Sequence, residues 1–295
     1  MMNIGLNPII LKNMKKLVFS FLFFIGCLSF AQKIYMANSS SKGITAFINE
    51  NNLPTVDFVY QNTFVTNNKY DEAKLIKTIT KMYPDKDQRG MAVLDWEGVM
   101  YDNLIKGSDV SNASRVQFEQ AIKKAKDLRP NVKWSFYGLP TRNFWSPDQN
   151  WKSKNLDLSS LISNFDFIAP SVYIFYPLTE VKADVQNKYI DSNIQLAKQI
   201  GQKIGKPVYP IVNQRYHPSS KAYSNQLVPK DLFSYYISRI ASNQIDTIIW
   251  WQSEEYNYNI SKTSAAFKAD YSRKMSKDQS QQQMLDSYYK DVIKK

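Results

Sequence analysis

The chain has 295 residues, enough for one large domain, with two as the alternative. Apolar residues make up 43% of it and aromatics 14%, with 19 Tyr and 6 Trp, so it can bury a core and still offer ring faces to a sugar. One His, one Cys and nine Gly argue against a His-based triad, a His-rich metal site and a glycine-rich phosphate loop. No metal and no cofactor are expected.

The net charge of +12 is unevenly spread. Residues 1–31 carry three Lys and no acid, and residues 273–295 carry six basic and three acidic side chains. Each end contributes +3, which leaves +6 for residues 32–272. A moderately basic body suits an anionic polysaccharide. No basic stripe and no nucleic-acid module is visible.

In chain order, Lys15 and Lys16 precede an apolar run over 17–30. Ser29 and Ala31 are small residues at the two positions a signal peptidase reads. The run is short for a membrane span, so residues 1–31 are expected to be a signal peptide, cut after Ala31. The mature chain would be exported to the periplasm, cell surface or medium, without stable membrane insertion. Cys27 lies inside that segment, and Phe24 makes a poor lipoprotein signal before it, so lipidation is the disfavoured alternative. If Cys27 leaves with the signal, the mature chain has no thiol and no disulfide.

The first strand is expected over 34–37 or 44–48. Further strands follow over 55–61, 91–97, 132–138, 166–173, 207–212 and 246–251. Helices are expected over 71–82, 111–128, 181–200, 231–242 and 263–271. Phe118, Ala121, Ile122, Ala125 and Leu128 carry the helical spacing of the second. The strands are short and mostly apolar, as strands buried on both faces are. Repeated alternation predicts an α/β fold, a single-domain, irregular TIM-like β/α barrel over 32–272. Residues 273–295 read as a basic polar tail, helical or disordered.

The chemistry concentrates in Arg89-Gly-Met-Ala-Val-Leu-Asp95-Trp96-Glu97-Gly98. Residues two apart in a strand face one side, so Asp95 and Glu97 project together at its C-terminal end. That end is the active face of a β/α barrel. Two adjacent carboxylates repel, which drives one to keep its proton near neutral pH, as a glycosidic general acid must. An isolated Asp-x-Glu is also a common helix cap or Lys partner. Here the other strand ends add sugar-site residues: Tyr60, Tyr137, Tyr173, Tyr216 and Trp250. Arg142 and Arg215 fall in loops on the same face and are candidates to attract acidic sugars; ordinary solvation is their alternative. His217 reads as an ordinary loop histidine.

Gly90-Met-Ala-Val-Leu-Asp-Trp-Glu97 resembles the catalytic segment of the animal and venom hyaluronidases, glycoside hydrolase family 56. Leu128-Arg-Pro-Asn-Val-Lys-Trp-Ser-Phe-Tyr-Gly-Leu-Pro140 resembles that family's next strand. Ala169-Pro-Ser-Val-Tyr173, Pro207-Val-Tyr-Pro-Ile-Val-Asn-Gln-Arg-Tyr216 and Asp246-Thr-Ile-Ile-Trp250 resemble later strands, in the family's order. The resemblance, over about 55–270, implies a bacterial member or close relative that cleaves N-acetylhexosaminidic bonds in a glycosaminoglycan. It implies a retaining mechanism in which the substrate's acetamido oxygen is the nucleophile, outside the usual two-carboxylate scheme. Glu97 would be the acid/base and Asp95 the acetamido partner. Tyr173 and Tyr216 would hydrogen-bond the sugar, and Trp250 would wall its N-acetyl pocket. Gly98-Val-Met-Tyr101 departs from the family's Trp-Arg-Pro, and Thr141 stands where it has a Cys, so the disulfide framework is absent. A chitinase-like N-acetylhexosaminidase acting on a neutral glycan is the second reading, and a non-catalytic glycan-binding barrel the third.

Overall fold

Strands and helices alternate through the computed structural model, which describes residues 32–261, 268–271 and 274–293. The expected signal segment and most of the helix expected over 263–271 lie outside the described residues. The strands are β1 (Lys33–Ala37), β2 (Thr55–Tyr60), a small hairpin β3 (Val65–Thr66) and β4 (Lys69–Tyr70), β5 (Gly90–Asp95), β6 (Val132–Phe136), β7 (Ile211–Val212) and β8 (Thr247–Trp250). Six of them form one parallel sheet in the order β6-β5-β2-β1-β8-β7.

The two edges of that sheet meet through residues 166–173. Tyr137 bridges to Ala169, Ile168 to Val208 and Ser171 to Ile211, all parallel. The backbone N–H groups of Tyr209 and Ile211 donate to the carbonyls of Ile168 and Pro170, each at 2.8 Å. The sequence predicts full strands over 166–173 and 207–212. Instead, the first forms only isolated bridges and the second is regular only at β7. Pro170, Pro207 and Pro210 have no N–H to give a ladder, so pairing is interrupted while the ring still closes. The expected irregular β/α barrel is the fold.

Alternate residues of β5 enter two cores. Met91 and Val93 join one apolar cluster; Ala92, Leu94 and Trp96 join the other, against Phe118, Ala121 and Ile122 of the helix Ser108–Leu128. The first strand is β1, while 44–48 lies in helix α1 (Lys42–Glu50). There Ile44, Phe47 and Ile48 are buried at helical spacing, which decides against a strand. Helix α2 (Glu72–Met82) starts where Asp71 accepts the Lys74 N–H at 3.0 Å. Then come α3 (Val99–Asn103), α4 (Ser108–Leu128), α5 (Gln149–Leu156), α6 (Ser159–Ile162), α7 (Ala183–Ile204), α8 (Lys230–Ser242) and α9 (Glu254–Ser261). The short α3, α5, α6 and α9 carry too few apolar repeats to be read from sequence.

The polar C-terminal segment is a packed helix, α10 (Lys277–Tyr288), followed by a π turn (Tyr289–Ile293). Its overall polarity hides a stripe of buried Met284, Leu285, Tyr288 and Val292, one helix face. The helix starts in a capping box between Ser276 and Gln279. It lies so close to α1 that a Cβ on Gly43 would stand 2.1 Å from the Asp278 carbonyl oxygen. Among the described residues no helix is long and apolar enough to cross a membrane.

Candidate active site

The two carboxylates emerge where β5 ends. Trp96, between them, is buried with its ring stacked 4.8 Å from Phe118. Strand alternation then sends Asp95 and Glu97 to the opposite side. Asp95 is the last strand residue and pairs in register with Tyr60 of β2. The Glu97 N–H donates to Gln61 Oε1 at 3.1 Å. The chain turns sharply at Gly98, whose φ of +78° is one that side-chain-bearing residues avoid.

One oxygen of Asp95, Oδ1, is buried without a hydrogen-bond partner. Burial, and then the neighbouring Glu97 charge, push the Asp95 carboxyl up to about 7. The sequence argument put repulsion first; in the structure desolvation is the larger cause. Glu97 is open to solvent at the mouth of the barrel. Partial desolvation raises its carboxyl, Arg142 opposes that rise, and Asp102 adds to it.

A raised folded-state value for an acid has a definite sign. Asp95 favours the folded chain below its unfolded value of about 4, and that contribution is lost as pH climbs through about 7. Asp95→Asn, which never ionises, is therefore expected to gain melting temperature relative to the unsubstituted protein between those two limits. Parallel melting curves at acid and neutral pH, with a constant gap, would show that Asp95 titrates normally.

Three tyrosines gather around the pair. Tyr137, just past β6, donates its hydroxyl to Ser171 Oγ at 3.2 Å. Gly138 follows with φ +72°, and its carbonyl accepts the Tyr101 hydroxyl at 2.6 Å. A Cβ there would lie 3.0 Å from the same hydroxyl, so both backbone angle and space call for glycine. Tyr173 is buried, 6.1 Å from the Tyr137 ring and stacked 6.0 Å from Trp251. Trp251 in turn donates its indole N–H to the Tyr60 hydroxyl at 3.3 Å. Burial raises the phenols of Tyr60, Tyr137 and Tyr173, so all three stay protonated donors. The charge of Asp95 acts on each of them, which places the trio at the carboxylates. Beside them opens a cavity of about 460 Å³ lined by Asn38, Ser39, Tyr60, Trp251, Gln252 and Tyr256.

No protein-family model matches the chain. Its sequence is 24% identical over 238 residues to the hyaluronidase Tab y 2.0101 of Tabanus yao. The matched stretch covers 68% of this chain and 66% of that relative, just under two thirds of its length. The fold is similar to that of bee venom hyaluronidase, with a TM-score of 0.64 and 14% identity, over 88% of this chain and 97% of that one. A second crystal structure of the bee venom enzyme, in complex with a hyaluronic acid tetramer, gives a TM-score of 0.58 at 14% identity, over 81% and 98% of the two chains. The chain is similar to one hyaluronidase in sequence and to another in fold.

Two residues to which sequence reasoning gave roles at the site, Trp250 and Arg215, are engaged elsewhere. Trp250 is fully buried; its indole N–H donates to Gln214 Oε1 at 2.7 Å and its ring packs on Phe47 and Phe233. Its neighbour Trp251 faces the mouth, one residue past the end of β8. A one-residue step flips a side chain to the other face, and the sequence alone does not fix the step. Tyr216 is buried with its ring 5.3 Å from Tyr223, and burial pushes its phenol up to about 12. Arg215 is only 1% exposed and is bound to Glu254 and Asp270, so it is not offered to a ligand. Arg142 stays at the mouth. Asn38 and Tyr256, not singled out in the sequence, line the cavity; Asn38 follows the end of β1, the one available signal.

Proposed function

We propose that the protein is an exported glycoside hydrolase that cleaves N-acetylhexosaminidic bonds in a glycosaminoglycan such as hyaluronan or chondroitin, with retention and with the substrate's acetamido group as nucleophile. One observation carries the reading: a buried, proton-holding carboxyl beside an exposed one at the open end of a parallel barrel. Similarity to a protein named hyaluronidase, and to a fold seen with a hyaluronic acid tetramer, supports the substrate class. The signal-like residues 1–31 support export.

The pair shares one proton near neutral pH. In the empty site burial keeps it on Asp95. A sugar seated over the mouth strips water from Glu97 and favours its protonated form, which frees Asp95 as a carboxylate. Glu97 then donates its proton to the glycosidic oxygen as the acetamido oxygen attacks the anomeric carbon and the leaving sugar departs. Asp95 accepts the acetamido N–H, which gains positive character in the cyclic intermediate. Water opens that ring, giving a proton back to Glu97. Tyr137 and Tyr173 donate hydrogen bonds, and Trp251, in place of Trp250, offers a ring face to the sugar.

The test is digestion of the mature protein's candidate substrates, hyaluronan, chondroitin and chitin oligomers, with products analysed by mass. Expected products carry added water and no unsaturated uronate, and a thiazoline mimic of the cyclic intermediate inhibits. Cleavage of chitin oligomers alone would remove the glycosaminoglycan from the proposal. No cleavage, with retained binding, would leave a glycan-binding barrel.

A further inference from the structure

The loop between β6 and α5 holds one arginine very firmly. On one side of it, the Thr141 N–H donates to Asn155 Oδ1 at 2.7 Å, and the Trp151 indole N–H donates to the Thr141 carbonyl at 2.8 Å. On the other side, the Asn143 N–H donates to Asn193 Oδ1 at 3.1 Å, and Asn193 Nδ2 donates back to the Asn143 carbonyl at 3.0 Å. Asn155 and Asn193 are themselves buried. The backbone of Arg142 is therefore fixed from both flanks.

Its side chain is fixed as well. Nη2 meets His217 Nε2 at 2.8 Å, Nη1 donates to the Tyr137 hydroxyl at 3.3 Å, and the guanidinium lies 5.5 Å from the Phe175 ring centre. A guanidinium can only donate, so His217 Nε2 must be the acceptor. The ring proton is then on Nδ1, donated to Ser219 Oγ at 2.7 Å; the Ser219 amide, 3.1 Å from Nδ1, cannot also bond to it. Burial, then the Arg142 charge, push the histidine down to about 3, so it stays a neutral acceptor.

All the acceptors named are neutral. Arg215 and Arg239 sit in ion pairs; Arg142 makes none among the described residues. A guanidinium on a partly buried arginine, with N–H groups beyond those two contacts and no ion-pair partner among the described residues, is a built receptor for an anion. Its charge already reaches Glu97. The ligand that arrives beside Glu97 is, on the proposed function, a glycan whose alternate sugars carry carboxylates.

We infer that Arg142, oriented by His217 and Tyr137, takes the carboxylate of an acidic sugar next to the cleaved bond and so sets the preference for acidic over neutral glycans. This rests on the proposed glycosidase reading. His217 is a positioning residue in it: it touches the arginine and not the sugar.

The experiment uses the Glu97→Gln protein, in which turnover is expected to be strongly slowed, and two ligands in calorimetry. One is a hyaluronan hexasaccharide; the other is the same oligosaccharide with its carboxylates reduced to alcohols. The native ligand is expected to bind about 10- to 100-fold more tightly, the range of a charge-assisted contact. Adding Arg142→Gln should bring that ratio close to one. Adding His217→Phe should shrink it too, while His217→Gln, which keeps an acceptor where Nε2 stood, should restore it. An undiminished ratio in the Arg142→Gln protein, with both ligands weakened alike, overturns the inference and leaves the glycosidase reading intact. A ratio of one before any change at Arg142 does the same. If neither ligand binds, the glycosidase reading falls and the inference falls with it.

Discussion

Glu97→Gln is expected to lower turnover of hyaluronan by about 10²–10⁴-fold, the usual effect of losing a general acid. The fold should be unaffected, because the side chain is solvent-exposed and stands outside both apolar clusters. Steady-state rates and a thermal melt check the two halves together. A second substrate sharpens the test. An aryl N-acetylhexosaminide whose phenol is strongly acidic leaves without a proton, so the variant should lose much less on it. Near-wild-type turnover of hyaluronan by a folded variant would remove Glu97 from the proton-donor role. An equal loss on both substrates would point to binding or geometry.

The barrel was legible because its strands are continuous apolar runs with helices of clear spacing between them. The position of Asp95 and Glu97 followed from that, since the two-residue period of a strand fixes which side chains leave together. What failed to follow was register at strand ends and the fate of loops. Trp250 and Trp251 are chemically alike and adjacent, and only packing against Phe47 and Phe233 decides which one is core. His217 read as an ordinary loop histidine because its partner, Arg142, lies 75 residues away in sequence. The C-terminal helix read as a solvated end because composition averages over its faces, whereas burial follows one stripe. In each case the missing information was a partner distant in sequence, which local patterning does not contain.

Arg215→Ala is expected to cost about 3–5 kcal/mol of stability, the range for removing one partner of a buried ion pair. Loops on an active face look solvated in sequence, yet this arginine joins segments 39 and 55 residues away. Nε and Nη2 donate to the two oxygens of Glu254 at 2.7 and 2.9 Å, and Nη1 donates to Asp270 Oδ2 at 2.8 Å. The Arg215 and Glu254 side chains are fully buried. Gln214 Nε2 also donates to Glu254, at 2.6 Å, and its Oε1 accepts the Trp250 indole, so the network reaches the end of β8, next to Trp251. Truncating Arg215 leaves the buried Glu254 charge with only neutral donors, Gln214 and the Tyr271 hydroxyl, and that uncompensated charge is the main source of the loss. Asp270 is partly exposed and can turn to water. The same physics predicts that Arg215→Met combined with Glu254→Leu costs less than Arg215→Ala alone, because no charge is then stranded. Urea denaturation of the three proteins decides it. A double variant weaker than the single one would mean that the pair stabilises by its own attraction, with desolvation the smaller effect.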